Sequence, residues 1–294
     1  MTLAACAPST DAAGRAGDGT AGATGQKLLY VSDGTFGNVY AFSYPGAKLV
    51  GELTHLQTPE GVCHDEAGDI YIVTAGNATI SEYAHGGSQP IKTLSDSAGT
   101  PLGCAIDPAS GDLAVVNQSG PSGGSGLPNV AVYKHARGRP ATYSDKNASA
   151  LYFCAYDDAG NLFVDGASSA GGNGLLVELP KGQTKFAGIA LDKSLNPSGG
   201  VQWDGKYLDV GDRSGSSGHA DVYRLLISSG KGKTVYSTPL DGDNDIVSFW
   251  IEGRTIVGGD LIAGSVMYWH YPGGGNATKS LMGFSDPVAM TVSI

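Results

Sequence analysis

Long apolar runs are the first thing this 294-residue chain lacks. Nothing in it approaches the roughly 18 consecutive apolar residues of a membrane-spanning helix, so no segment as written crosses a bilayer in that form. Helical spacing is missing too: from Lys27 onward no stretch of ten or more residues repeats apolar positions at i, i+3, i+4 and i+7. Charge is scarce, at 16% of residues, and basic charge scarcer, with 18 Lys and Arg against 28 Asp and Glu and a net charge of −10. A surface so poor in cations cannot displace counterions from a phosphate backbone, which argues against nucleic acid and against anionic membrane surfaces as partners. There is no C-x-x-C pair to suggest zinc and no G-x-S-x-G elbow to carry a nucleophilic serine. What the chain has in excess is glycine, 46 residues, about twice ordinary usage. With 41% hydrophobic residues it can still bury a core. The composition is that of a turn-rich globular protein.

Residues 7–26 hold no leucine, isoleucine, valine or aromatic residue and read as a flexible tether. Directly before it, Leu3-Ala4-Ala5-Cys6 resembles the lipobox of bacterial lipoproteins, although only Met1 and Thr2 stand where a basic and apolar leader belongs. The resemblance implies lipidation of Cys6, contact with a membrane through that anchor alone, and an extracytoplasmic, membrane-anchored or periplasmic or secreted location.

The remaining chain, 27–294, repeats. The segments at 59–76, 101–120 and 151–168 share a short apolar strand, an aspartate, a tight turn around glycine and a second apolar strand, with the turn aspartates at Asp65, Asp107 and Asp157. Degenerate copies at 199–212 and 246–260 carry Asp204 and Glu252 at the turn. That makes five first-to-second-strand hairpins. Third strands ending at glycine number six, among them NVYAFSYPG and SVMYWHYPGGG, and a fourth short strand follows, as in LVGEL at 49–53. The mismatch is informative. The first unit, LLYVSD onward, lacks a first strand, and the chain ends in PVAMTVSI, a first strand with nothing after it. The C-terminal strand is therefore expected to complete the first unit and close a ring without a free sheet edge. About 45 residues per unit is the period of four-stranded propeller blades. The expected fold is all-β: a six-bladed β-propeller of four-stranded antiparallel blades, with approximate blades at 27–58 with 287–294, 59–100, 101–149, 150–197, 198–245 and 246–286.

With Pro59-Glu60-Gly61 and the following D-x-x-G-x-[apolar]-[aromatic]-V turn, the repeat resembles the NHL-repeat and gluconolactonase-like six-bladed propellers. That superfamily includes lactonases, lyases, hydrolases and binding modules, so the resemblance implies a fold rather than an activity. Gluconolactonase-like propellers hold a metal at the channel mouth with residues from several first-strand starts. Glu60 fits one such place, but the others hold Leu102, Tyr152, a glycine near 199, Ile246 and Val288, which counts against a metal lactonase.

Propeller ligands usually sit on the face carrying the fourth-to-first and second-to-third strand loops, here called the upper face. Strand ends there supply Asp33, Asn117, Asp165, Asp212 and Asp260, and strand starts add Glu60, Asp243, Asn244, Asp245 and Asp286. Gly/Ser-rich loops contribute Arg213 and His219. This acidic ring is the expected ligand-binding face, for a small ligand, glycan or protein. Oxygen-rich rings suit Ca²⁺, but aspartates at such places also cap turns by bonding their own backbone, so no cofactor is expected. Glu60 and His219 are the candidate acid/base groups if the protein is an enzyme, a hydrolase or lyase acting at the channel mouth. The polar positions follow the repeat and no catalytic set interrupts it, so a non-catalytic, monomeric binding propeller is the leading expectation. His64, beside Asp65, is expected to serve that turn. Of the first-strand cysteines Cys63, Cys104 and Cys154, the last two occupy matching places in neighbouring blades and form the pair considered for a disulfide, with buried free thiols the preferred outcome.

Overall fold

The apolar runs between glycine turns become strands buried on both faces. Leu28–Asp33, Ile70–Thr74 and Leu208–Asp212 are buried along their whole lengths, as strands sandwiched between neighbouring layers must be. The computed structural model describes residues 25–121, 126–196, 198–214, 218–243 and 245–294. Cys6, the 1–26 tether up to residue 24, and Asn244 lie outside the described residues.

Six four-stranded antiparallel sheets form the blades of a β-propeller. From the innermost strand outward, blade 1 is Pro287–Ser293, Leu28–Asp33, Asn38–Ser43 and Leu49–Leu53. Blade 2 is Pro59–His64, Ile70–Thr74, Thr79–Tyr83 and Pro90–Ser95. Blade 3 is Thr100–Ile106, Leu113–Ser119, Asn129–Tyr133 and Ala141–Ser144, and blade 4 is Ala148–Tyr156, Leu162–Ser168, Gly174–Leu179 and Ala187–Gly188. Blade 5 is Ser198–Trp203, Leu208–Asp212, Ala220–Ser228 and Lys231–Asp241, and blade 6 is Ile246–Glu252, Thr255–Asp260, Ser265–His270 and Lys279–Met282. The long outer strand of blade 5 also receives Ala190–Leu191 and Gly275–Asn276 in parallel pairing. Among the described residues no helix is long and apolar enough to cross a membrane.

The chain ends meet as expected: Pro287–Ser293 pairs antiparallel with Leu28–Asp33, from Leu28 opposite Ser293 to Asp33 opposite Pro287. The core is divided into six clusters, one at each junction between neighbouring blades. Polar ties cross the same junctions. Gly86 N–H donates to Tyr30 Oη at 2.7 Å, Tyr133 Oη donates to Ser95 O at 3.2 Å, and Trp269 Nε1 donates to Asp241 O at 3.1 Å.

All six inner strands carry a register irregularity near the same repeat position, between Pro59 and Val62, Pro101 and Gly103, Leu151 and Cys154, Ser198 and Val201, Ile246 and Ser248, and opposite Val31 to Asp33 in the closing strand. Such bulges bend a strand and re-aim side chains. Here they let adjacent inner strands touch: a Cβ on Gly61 would stand 2.5 Å from Leu102 O, and one on Gly103 would stand 2.5 Å from Tyr152 O. Glycine at these two places is a packing requirement.

The cysteines correct an expectation. A disulfide joins Cys63 to Cys104, with Cα atoms 5.8 Å apart, and Cys154 is the free, buried thiol. Alternation explains the partner. Cys104 packs with Cys63 in the cluster between blades 2 and 3, whereas Cys154 belongs to the cluster between blades 3 and 4. Matching sequence positions do not face one another once bulges intervene. Burial pushes the Cys154 thiol up, so it stays protonated and unreactive in the native state.

Two outcomes test this architecture. Removing residues 288–294 takes away the inner strand of blade 1 and should abolish the cooperative melt by calorimetry; a truncated protein that melts like the parent refutes strand closure. Non-reducing peptide mapping should find Cys63 linked to Cys104, and reduction should lower stability by about 2–4 kcal/mol in urea titrations.

Candidate functional site

The turn aspartates act on their own backbones. Asp65 Oδ1 accepts from Ala67 and Asp69 N–H, both at 3.0 Å, Asp157 Oδ1 accepts from Ala159 at 3.0 Å and Asn161 at 2.8 Å, and Asp204 Oδ1 accepts from Lys206 at 2.9 Å and Tyr207 at 2.7 Å. These are Asx-type turns, the local alternative that short acidic side chains offer the chain.

The expected ring on the upper face is put to similar use. Asp33 is fully buried and accepts from the N–H groups of Phe36, Ser285 and Asp286 at 3.0, 2.8 and 3.2 Å. Asn117, also fully buried, donates to Asp96 Oδ2 at 3.1 Å and Asn129 Oδ1 at 3.3 Å. Asp165 bridges two inner strands, accepting from Phe153 N–H at 2.6 Å and Gly200 N–H at 2.9 Å. Asp212 accepts from Asn196 and Ser214 N–H and from Tyr223 Oη, and Asp260 accepts from Ala263 N–H at 2.8 Å. Arg213 makes a two-pronged ion pair with Asp245. His219 Nδ1 stands 3.3 Å from Asp243 Oδ1, an ion pair when the ring is protonated. These groups hold loops in place.

Glu60, on the same face, keeps different company. A Cβ built on Gly34 would lie 3.0 Å from Asp286 Oδ2 and 3.5 Å from Glu60 Oε1, so the two carboxyl groups share one small space. Burial raises the Glu60 carboxyl to about 7, and the Asp286 charge adds to the rise. Burial also raises Asp286, with Asp33 contributing. The structure thus brings Glu60 together with Asp286 and Asp33, while His219 is placed with Asp243. Among the described residues no group of three or more His, Cys, Asp or Glu is placed to hold a metal ion.

The open space is at the other end of the channel. A cavity of about 370 Å³ opens between the last residues of the inner strands and the first-to-second-strand turns, the lower face. Its wall includes the aromatic residues Phe153, Tyr156, Trp203, Phe249 and Trp250 together with the disulfide sulfurs' residues Cys63 and Cys104. Asp65, Glu66 and Asp158 stand where the turns meet it. Phe153 is the telling member. It occupies the bulge position that holds Gly61 and Gly103 in blades 2 and 3, and its ring packs against the cluster containing Val62 and Ala289, across the channel from its own blade. Among the polar groups of the wall, Gln202 exchanges both bonds with the Ile251 backbone, donating at 2.9 Å and accepting at 2.7 Å, while the indole N–H groups of Trp203 and Trp250 are buried without a partner. His64 does not serve the Asp65 turn, contrary to expectation. Its Nδ1 bonds Thr291 Oγ1 at 2.7 Å and its ring meets Trp250 edge-on at 5.3 Å, because the end of the inner strand points it toward the closing strand.

No family model and no curated protein matches the sequence. Solved structures do match in shape. A chain in the crystal structure of a nidogen/laminin complex superposes with a TM-score of 0.72 at 14% identity, covering 91% of this chain and 98% of that one. A chain of the Kuenenia stuttgartiensis hydrazine synthase superposes with a TM-score of 0.57 at 15% identity, covering 83% of this chain and 73% of that one. The likeness is one of fold. It agrees with a six-bladed propeller and carries no activity across.

The Glu60 geometry gives a pH dependence. An unfolded glutamate titrates near 4.3, while the folded one does so at about 7. Between those values the folded state keeps a proton that the unfolded chain has released, so stability is fullest below about 4.3 and falls as pH rises through about 7. Glu60→Gln should flatten this slope and be more stable than the parent at pH 8 by about 2–3 kcal/mol, with little difference near pH 4. Urea midpoints measured across that range check it, and parallel pH profiles for the two proteins refute it.

Proposed function

We propose that the chain is a non-catalytic binding propeller, held outside the cytoplasm through Cys6, that takes a small ligand into its central channel from the lower face. The observation carrying this reading is the aromatic cavity of about 370 Å³ at the end of the inner strands, of the size and character of small-molecule sites. The upper face supports it from the other side, since Asp33, Asn117, Asp165, Asp212, Asp260 and Arg213 are engaged in fastening strands and loops. The Cys63–Cys104 disulfide fits an oxidising compartment.

A second reading is a hydrolase or lyase at the upper channel mouth. It is favoured by one observation, the Glu60 carboxyl raised to about 7 beside Asp286, which suits proton transfer near neutral pH.

Thermal-shift screening of a small-molecule library separates the two readings. Ligands that raise the melting temperature of the parent should lose their effect in Ala105→Trp, which fills the cavity, and keep it in Glu60→Gln and His219→Ala. The reverse pattern, or hydrolysis of a lactone or ester abolished by Glu60→Gln, favours the second reading.

A further inference from the structure

The cavity's chemistry is one-sided. Five aromatic residues and three carboxylates contribute to its wall and mouth, and among the described lining residues there is no lysine or arginine. The one lysine in the adjoining hollow, Lys27, is paired with Glu252. Burial lowers His64 below its ordinary value, so it is neutral at pH 7 and adds no opposing charge. The Gln202 amide and His64 Nδ1 are already bonded within the protein, and the indole N–H groups of Trp203 and Trp250 are buried without a partner. What the space offers a guest is aromatic and apolar surface, with negative charge at its entrance. Aromatic faces attract cations through the ring quadrupole, more strongly where water is excluded. The carboxylates at the mouth, on a protein of net charge −10, draw cations toward it.

We infer that the channel cavity binds a small organic cation, an amine or quaternary ammonium with an apolar body. This rests on the reading that the cavity is the ligand site. Its two layers divide the work: Glu66 and Asp158, both exposed at the turns, supply long-range attraction, and the aromatic wall with Phe153 receives the desolvated head.

Calorimetric titration of the whole protein with choline and with 3,3-dimethylbutanol, its uncharged carbon isostere, tests the inference. Choline should bind about tenfold more tightly than the alcohol, the factor a desolvated cation–aromatic contact confers. The double variant Glu66→Gln, Asp158→Asn changes only exposed turn positions, so its fold is not at stake; it should weaken choline, reduce the salt dependence of choline binding and leave the alcohol unchanged. Ala105→Trp should abolish binding of both. Equal affinity for choline and the alcohol overturns the cation inference while leaving the small-ligand reading intact. Binding of neither probe overturns the inference, and if Ala105→Trp also fails to alter any library hit, the channel reading falls with it. Choline binding that survives Ala105→Trp unchanged places the cation elsewhere and overturns the inference as well.

Discussion

Everything in this molecule depends on one strand pairing, that of Pro287–Ser293 with Leu28–Asp33. A propeller blade has apolar surface on both faces and is stable only between two neighbours, so a row of six would leave its end faces and inner edges bare. Joining the chain's last strand to its first sheet turns the row into a ring with six equivalent core layers. The closing strand is tied onward to blade 2. Ser32 Oγ accepts from Ala289 N–H and donates to Glu60 O, Ser293 Oγ donates to Gly68 O, and His85 Nδ1 bonds Ser293 Oγ. The seam is thus held by backbone pairing within blade 1 and by side chains reaching across a junction.

Ring closure brings the inner strands together, and the demand for close approach shapes both ends of the channel. On the upper side, bulges, glycines and the Asp165 bridge between Phe153 and Gly200 N–H groups draw neighbouring strands together. On the lower side the turns of blades 2 to 5 satisfy their own backbone through an aspartate, leaving space between them. A buried carboxylate accepting two or three N–H groups stabilises loops well. On this propeller face acidic residues are thus employed in fastening strands and loops.

The fold was legible because its signals are local and repeated. Strands sandwiched between blades read as continuous apolar runs such as LLYVSD and IYIVT, and the missing first strand of the first unit had its counterpart at the C-terminus. The site was less so. Asp33, Asp165 and Asp212 stand at repeat positions that suggest a ring of ligands, and only three-dimensional geometry shows their oxygens turned to backbone N–H groups. The disulfide was hidden by strand alternation, which sends Cys104 toward blade 2 instead of toward Cys154. One signal was present in the letters alone: with the hairpins stacked, Phe153 falls where Gly61 and Gly103 stand, a large side chain at a place where two blades tolerate none.

That substitution matters for symmetry. A channel built from six similar blades with small residues at every bulge would present nearly the same wall after each sixth of a turn, and a guest could settle in six nearly degenerate poses. Such degeneracy is worth about 1 kcal/mol of orientational entropy and leaves nothing to distinguish one edge of the guest from another around the axis. A single phenylalanine crossing the axis to the Val62 and Ala289 side removes the rotational equivalence. A guest in such a channel would meet one preferred pose in place of six.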